Sequence, residues 1–238
     1  MAGRLQIHHT DAVAYVRIAH GAENLLDGAA CDELTGLLTM PPADTHVLRL
    51  SASGPAFCLG REREAQSVAD LRGEVGRLIA LNKALRESAL VTIAEVQGRA
   101  AGFGVGLAAL CDVTIAAPSA TFCFPEVGIN LAPVVVLAWL PQLVGVKAAF
   151  DLTATGRVID ARDAQRLGLL TQVVPSDDLL TTVVDQYIQT VRGFAPRIHR
   201  EIKTFLHASA GMTEATTYEL AADRLVLGSL ARVQREQG

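Results

Sequence analysis

The four cysteines, Cys31, Cys58, Cys111 and Cys123, form no C-x-x-C pair and have no histidines grouped around them, so the spacings that mark zinc sites and redox pairs are missing. Reduced thiols and a site without a metal are expected. Runs of one charge are also missing. The 21 Lys and Arg are scattered among 25 Asp and Glu, for a net charge of −4, which offers no electrostatic footprint for nucleic acid. No basic start followed by an apolar core marks a secretory signal. The apolar run at residues 131–143 is too short to cross a bilayer and contains Pro133 and Pro141. A cytoplasmic protein with neither nucleic-acid nor membrane partners is the expectation. Low-complexity stretches and repeats of fixed period are absent. What is present is apolar mass: half of the 238 residues, ample for a large core without staples.

The first half alternates short β-branched runs with amphipathic stretches. Residues 12–18, 47–51 and 91–96 read as strands, and 27–38 and 68–87 as helices with Asp27 and Ser67 as N-caps. That order favours an α/β architecture. Further short runs at 113–116, 121–124 and 170–174 read as strands, the first two separated by Ala117-Pro118-Ser119. Beyond them the pattern is helical, at 179–191 and 196–234, broken around Gly193–Pro196 and at Gly211. The tail therefore reads as a separate helical layer.

Three segments carry chemistry. From Ile93 to Ala108 a strand runs through the turn Gly102-Phe103-Gly104-Val105-Gly106 into an apolar helix; such a turn exposes backbone N–H groups suited to a phosphate or an oxyanion. Its G-x-G-x-G spacing departs from the dinucleotide fingerprint, and no acidic residue ends a strand about twenty positions later. Glycines that only permit close helix packing are the plainer reading. The second segment, Gly54-Pro55-Ala56-Phe57-Cys58-Leu59-Gly60-Arg61-Glu62, reads alone as a glycine loop. The third, Thr121-Phe122-Cys123-Phe124-Pro125-Glu126-Val127-Gly128-Ile129, places a carboxylate at the end of an apolar run. Desolvation there raises its pKa towards acid–base use, although a capping or salt-bridged glutamate is the ordinary alternative.

In this order the three segments resemble the crotonase superfamily, the enoyl-CoA hydratase/isomerase family. Phe57-Cys58-Leu59-Gly60-Arg61-Glu62 matches its F-x-A-G-x-D loop, Ala101-Gly102-Phe103-Gly104 its A-x-G-G-G turn, and Phe124-Pro125-Glu126 with Pro133 its P-E-x-x-x-G-x-x-P block. Thr153-Ala154-Thr155-Gly156, followed by 161–174, has a counterpart in the family's A-L-x-x-G region. The resemblance implies a crotonase-like spiral of ββα turns over residues 1–193 and a C-terminal helical trimerisation region over 194–238, with trimers able to pair as hexamers.

It further implies an acyl-CoA substrate, with coenzyme A part of the substrate and no separate cofactor. Arg61 and Phe103 would donate backbone N–H groups to the thioester oxygen, Glu126 would move a proton, and Gly60, Arg63, Gly102, Gly104, Gly106 and Pro133 would contact substrate. Arg61 or Arg63 could also meet the CoA phosphates by charge-assisted bonds, or the charged run 61–64 is simply a solvated face. Two departures bear on mechanism. Phe103 replaces a glycine, which requires a negative φ, and Gly106 stands where the family's hydratases carry their first glutamate. One carboxylate suits proton transfer between carbons, hence isomerisation; hydration needs water activated as well. A glutamate introduced at 106 would lie in the first helical turn and should be accommodated. A hydrolase, decarboxylase or dehalogenase on this scaffold, or a non-catalytic acyl-CoA-binding subunit, remains a competing reading.

Overall fold

The structure, a computed structural model, describes residues 4–236, with side-chain exposure as far as residue 230. The expected segments extend at both ends over residues outside this range. The chain divides into two compact units, one ending at Pro196 and the other beginning at Arg197.

In the first unit a larger sheet orders β1 (Leu5–Thr10), β2 (Val13–Ile18), β3 (Val47–Ala52), β5 (Val91–Val96), β7 (Val113–Ala116) and β10 (Gln172–Val173). A smaller sheet orders β4 (Ala56–Cys58), β6 (Arg99–Ala101), β8 (Thr121–Cys123) and β9 (Ile159–Asp160). The helices of this unit are α1 (Gly28–Thr39), α2 (Val68–Glu87), α3 (Phe103–Ala109), α4 (Val134–Leu137), α5 (Leu140–Val144), α6 (Val146–Thr155), α7 (Ala161–Arg166) and α8 (Leu180–Arg192). Short 3-10 turns cover Pro125–Ile129 and Asp177–Leu179. The second unit is helical: α9 (Pro196–Ala208), entered at its first proline, and α10 (Glu214–Glu236).

Chain order and sheet order together make a spiral. Each turn adds one strand to the larger sheet and the next to the smaller, then a helix: β3-β4-α2, β5-β6-α3, β7-β8. Within each sheet these strands are parallel neighbours. The ends of β4, β6 and β8 therefore lie side by side, and the segments leaving them must meet. That topology brings three distant sequence segments to one place.

The alternation of side chains explains why the larger sheet reads as continuous apolar runs. Val13, Val47, Ile93 and Ile115 face one way, onto Leu180, Val184 and Ile188 of α8. Val16, Leu48, Ala94 and Val96 face the other way, into the larger core with Phe57, Phe122 and Leu107. The central parallel strands are covered on both faces and have little solvent side to carry polar residues, and β5 is buried at all six positions. Helices begin where the caps place them: Asp27 accepts from the Ala30 N–H at 2.7 Å and Ser67 from the Asp70 N–H at 3.1 Å.

The strand expected from residue 12 starts at Val13, because Asp11 and Ala12, with φ of 49° and 63°, form the turn of a β1–β2 hairpin. Asp-Ala lacks the glycine or asparagine that signals such a turn.

One charge is buried in this framework. Glu95 on β5 is 6% exposed and takes Arg49 at 2.6 Å and the Thr181 hydroxyl at 2.7 Å. Removing one member of a buried pair strands the other in low dielectric. Arg49→Leu is expected to lower the unfolding free energy by about 3 kcal/mol in urea titrations; an unchanged midpoint would show that the carboxylate does not depend on the guanidinium.

Candidate active site

The segments leaving β4, β6 and β8 converge on a cleft of ≈ 760 Å³, a size that suits a small-molecule site. Of the residues expected to form a site, Gly60, Arg61, Arg63, Gly102, Phe103, Gly106, Glu126 and Pro133 line it.

The loop after β4 is held by Leu26. Leu26 N–H donates to the Gly60 carbonyl at 3.2 Å, Glu62 N–H donates to the Leu26 carbonyl at 2.8 Å, and Leu26 and Arg61 form an isolated parallel bridge. In such a bridge the central residue's own N–H points away from its partner, so that of Arg61 is directed off this ladder. The Arg61 guanidinium is already engaged: it pairs with Glu74 of α2 and donates to the Glu62 carbonyl at 3.2 Å. Glu74 also accepts the Glu64 and Ala65 N–H groups at 2.8 and 2.5 Å. The side chain expected to reach for phosphate instead clamps the loop to α2. Arg63 is exposed on the cleft and has no ion pair among the described residues.

At the end of β6, Gly102 adopts φ 51° and ψ −117°, a conformation that side chains resist, and its N–H donates to the Cys123 carbonyl at 2.9 Å. Phe103 opens α3 and is not among the residues with positive φ, so the backbone accepts its side chain. At this first helical position its N–H has no carbonyl one turn earlier to bond. Gly104 does not line the cleft. A Cβ there would stand 2.0 Å from the Cys58 carbonyl oxygen, so this glycine seats α3 against β4.

Glu126 sits on the 3-10 turn after β8, behind Pro125. Its Oε1 would be 2.6 Å from a Cβ on Gly102, and its Oε2 is buried without a hydrogen-bond partner in the protein. The carboxylate thus stands against the turn whose next residue is Phe103. Burial pushes its pKa above the ordinary 4.5, while its own backbone N–H and the positive charge of Arg63 pull the other way. Glu126 is in no ion pair among the described residues, and its 3-10 turn has no side-chain cap.

Several lining residues were not singled out from the sequence, Asn82 and Trp139 among them. α2 presents Leu71, Val75, Leu78 and Asn82 to the cleft, a spacing of three and four that keeps one face. Asn82 Oδ1 is buried and without a protein partner. An asparagine inside a helix is unfavourable without a purpose, and that was the available signal. Trp139, the only tryptophan, is 4% exposed and meets Phe124 edge-on at 6.4 Å. Its Cζ2 would lie 3.3 Å from a Cβ on Gly106, and Asn82 Oδ1 3.9 Å. The space beside Gly106 is therefore filled by an indole locked in the core. Gly106→Glu is expected to displace that ring and lower Tm by several degrees, by overpacking; a variant as stable as the parent would show that the indole can swing aside.

None of the four cysteines is in a disulfide, and burial pushes the Cys31 and Cys58 thiols up to about 12, which makes them poor nucleophiles. Among the described residues no group of His, Cys, Asp and Glu could hold a metal ion, and no helix is long and apolar enough to cross a membrane.

A ββα spiral with a cleft at the ends of three parallel strands is the crotonase fold. An enoyl-CoA hydratase of Mycobacterium smegmatis shares it with a TM-score of 0.90 at 23% identity, over 95% of this chain and 91% of that one. A putative enoyl-CoA hydratase of Thermobifida fusca, solved in complex with acetoacetyl-CoA, does so at 0.87 and 27% identity, over 96% and 95%. The chain belongs to the enoyl-CoA hydratase/isomerase family, whose profile matches residues 8–237. A probable enoyl-CoA hydratase of Rhodobacter capsulatus is 30% identical over 213 residues, 88% of this chain and 82% of that protein. A probable enoyl-CoA hydratase of Mycobacterium tuberculosis is 34% identical over 171 residues, 67% of this chain; the match spans 64% of the relative's length.

Proposed function

We propose that the cleft binds an acyl-CoA thioester and moves its double bond, with Glu126 as the single proton carrier. The observation that carries this is the buried, unpartnered Oε2 of Glu126, on a carboxylate set against the Gly102-Phe103 turn. With a 3-enoyl thioester, the Glu126 carboxylate takes a proton from carbon 2. The C–H electron pair enters the conjugated system and the charge gathers on the thioester oxygen, where the Arg61 and Phe103 N–H groups receive it; one such donor is commonly worth about 10²-fold in rate. The Glu126 carboxyl then returns the proton to carbon 4, giving the 2-enoyl thioester with no other reactant consumed.

Hydration is disfavoured because Gly106 brings no second carboxylate and Trp139 fills the space beside it. Structures of relatives solved with CoA and with acetoacetyl-CoA support the substrate class. The test is a pair of assays on four- to six-carbon substrates: 3-enoyl-CoA isomerisation is expected to exceed 2-enoyl-CoA hydration by at least about 10²-fold. Comparable hydration of crotonyl-CoA would overturn the preference, and no turnover or binding of any CoA thioester would overturn the reading itself.

We propose also that the second unit mediates homotrimer formation. Ile202, Leu206 and Leu225 on α9 and α10 are 53%, 64% and 72% exposed, apolar surface that a self-association interface would bury.

A further inference from the structure

Glu126 and Asn82 are the two side chains that bring a buried, unpartnered oxygen to the cleft. Their placement along α3 differs. Glu126 meets the helix at Gly102 and Asn82 meets it at Gly106, one helical turn further on, about 6 Å along the axis. If the thioester oxygen lies at the Phe103 N–H, the acyl chain passes Glu126 first and reaches Asn82 several carbon atoms later. The cleft lining is otherwise mostly apolar and includes Leu78, Val136 and Trp139, of which Trp139 stands beside Gly106 with Asn82. An apolar acyl chain there would leave the Asn82 carbonyl oxygen desolvated and unbonded, and an unmade bond of that kind is costly.

We propose that Asn82 is a specificity-determining residue that recognises a polar group, a hydroxyl in particular, on the acyl chain beyond the reacting carbons, so that the cleft selects oxygenated acyl thioesters over plain alkyl ones. A hydroxyl both donates and accepts, and the Asn82 amide offers one acceptor and two donors. It therefore satisfies the amide whichever way the side-chain oxygen and nitrogen are turned. Trp139 supports the selection by its rigidity. The indole packs against Gly106 and Phe124, on the same glycine that the Asn82 amide approaches. A site built to bond a substrate hydroxyl rejects the analogue without it far more strongly than an apolar pocket rejects an added hydroxyl.

This inference rests on the acyl-CoA reading of the cleft, and one experiment separates the two. Affinities are measured by calorimetry for matched pairs of saturated acyl-CoAs, with and without a hydroxyl at carbons 5, 6 or 7, on the full chain and on Asn82→Leu and Asn82→Asp. The parent is expected to favour at least one hydroxylated member over its plain partner by about 10-fold or more. Asn82→Leu should abolish that preference, bind the plain acyl-CoAs as well as or better than the parent, and melt at a higher temperature because a buried unpartnered oxygen is gone. Asn82→Asp, which keeps the acceptor, should retain a preference for hydroxyl. Plain and hydroxylated acyl-CoAs bound equally by the parent, or a preference unchanged in Asn82→Leu, would overturn the assignment of Asn82 while leaving the acyl-CoA reading intact. Binding of no acyl-CoA at all would overturn both. Should Asn82→Leu fail to fold, the parent and Asn82→Asp decide the matter on the same pairs.

Discussion

Glutamine at position 126 is expected to cut turnover of the preferred acyl-CoA by at least about 10²-fold, the lower end for a general acid–base group, while affinity for the thioester stays near that of the parent. The amide has the shape of the carboxyl but neither takes nor returns a proton. In the parent, the base is active only when ionised, so kcat/KM should rise with pH through a limb set by Glu126, above the ordinary 4.5 because burial disfavours the charge. The variant should lose that limb. Stability supplies an independent check with a definite sign. Between 4.5 and the raised value, the folded chain holds a proton that the unfolded chain has released, so unfolding free energy falls as pH rises through that window. Glutamine has no such proton to lose. Glu126→Gln should therefore gain stability relative to the parent at neutral pH and show none of this gain below 4.5. Near-normal turnover by a folded variant would remove Glu126 from the proton path.

A single methyl group at Gly104 is expected to have the second large effect, this time on folding. Its Cβ would fall 2.0 Å from the Cys58 carbonyl oxygen and 2.7 Å from the Cys58 carbonyl carbon, and neither is the end of a flexible side chain. Relief requires α3 to lift from β4. Overpacking of this kind commonly costs about 1–3 kcal/mol and more where backbone must move. Because the Arg61 loop follows β4 and Phe103 opens α3, the same movement separates the two candidate N–H donors. Gly104→Ala should lower Tm and, in whatever fraction folds, lower kcat more than it raises KM, as expected when an interaction made in the transition state is lost. An alanine variant with the parent's Tm and kcat would show that β4 and α3 yield to one another without cost.

The sequence made some of this legible and hid the rest for physical reasons. Asp27 and Ser67 announce their helices because a cap acts within three residues, and β5 announces itself because a strand buried on both faces is mostly apolar and β-branched, its Glu95 being paired with Arg49. Glu126 stands out as a carboxylate at the end of an apolar run. The three-residue strands β4 and β6 carry too few side chains for a period, and only their neighbours in the smaller sheet make them strands. The two glycines flanking Phe103 read alike in sequence, yet Gly102 yields space to a carboxylate and Gly104 to a backbone carbonyl. That distinction depends on what approaches from elsewhere. Asn82 on α2 and Trp139 in the turn between α4 and α5 lie far along the chain from the glycine turn, and only the folded spiral brings them to Gly106.

Helix α2 holds Glu74, which fastens the loop after Gly60, and two turns later Asn82, with Leu71, Val75 and Leu78 on the same side. A deletion or insertion of one residue between 74 and 82 would rotate everything beyond it by about 100° and carry Asn82 off the cleft while Glu74 stayed in place. Among descendants of such a chain, this stretch can vary by exchange of side chains but not in length. Under the proposed acyl-CoA reading, α2 is a spacer of fixed length between the loop after Gly60 and Asn82.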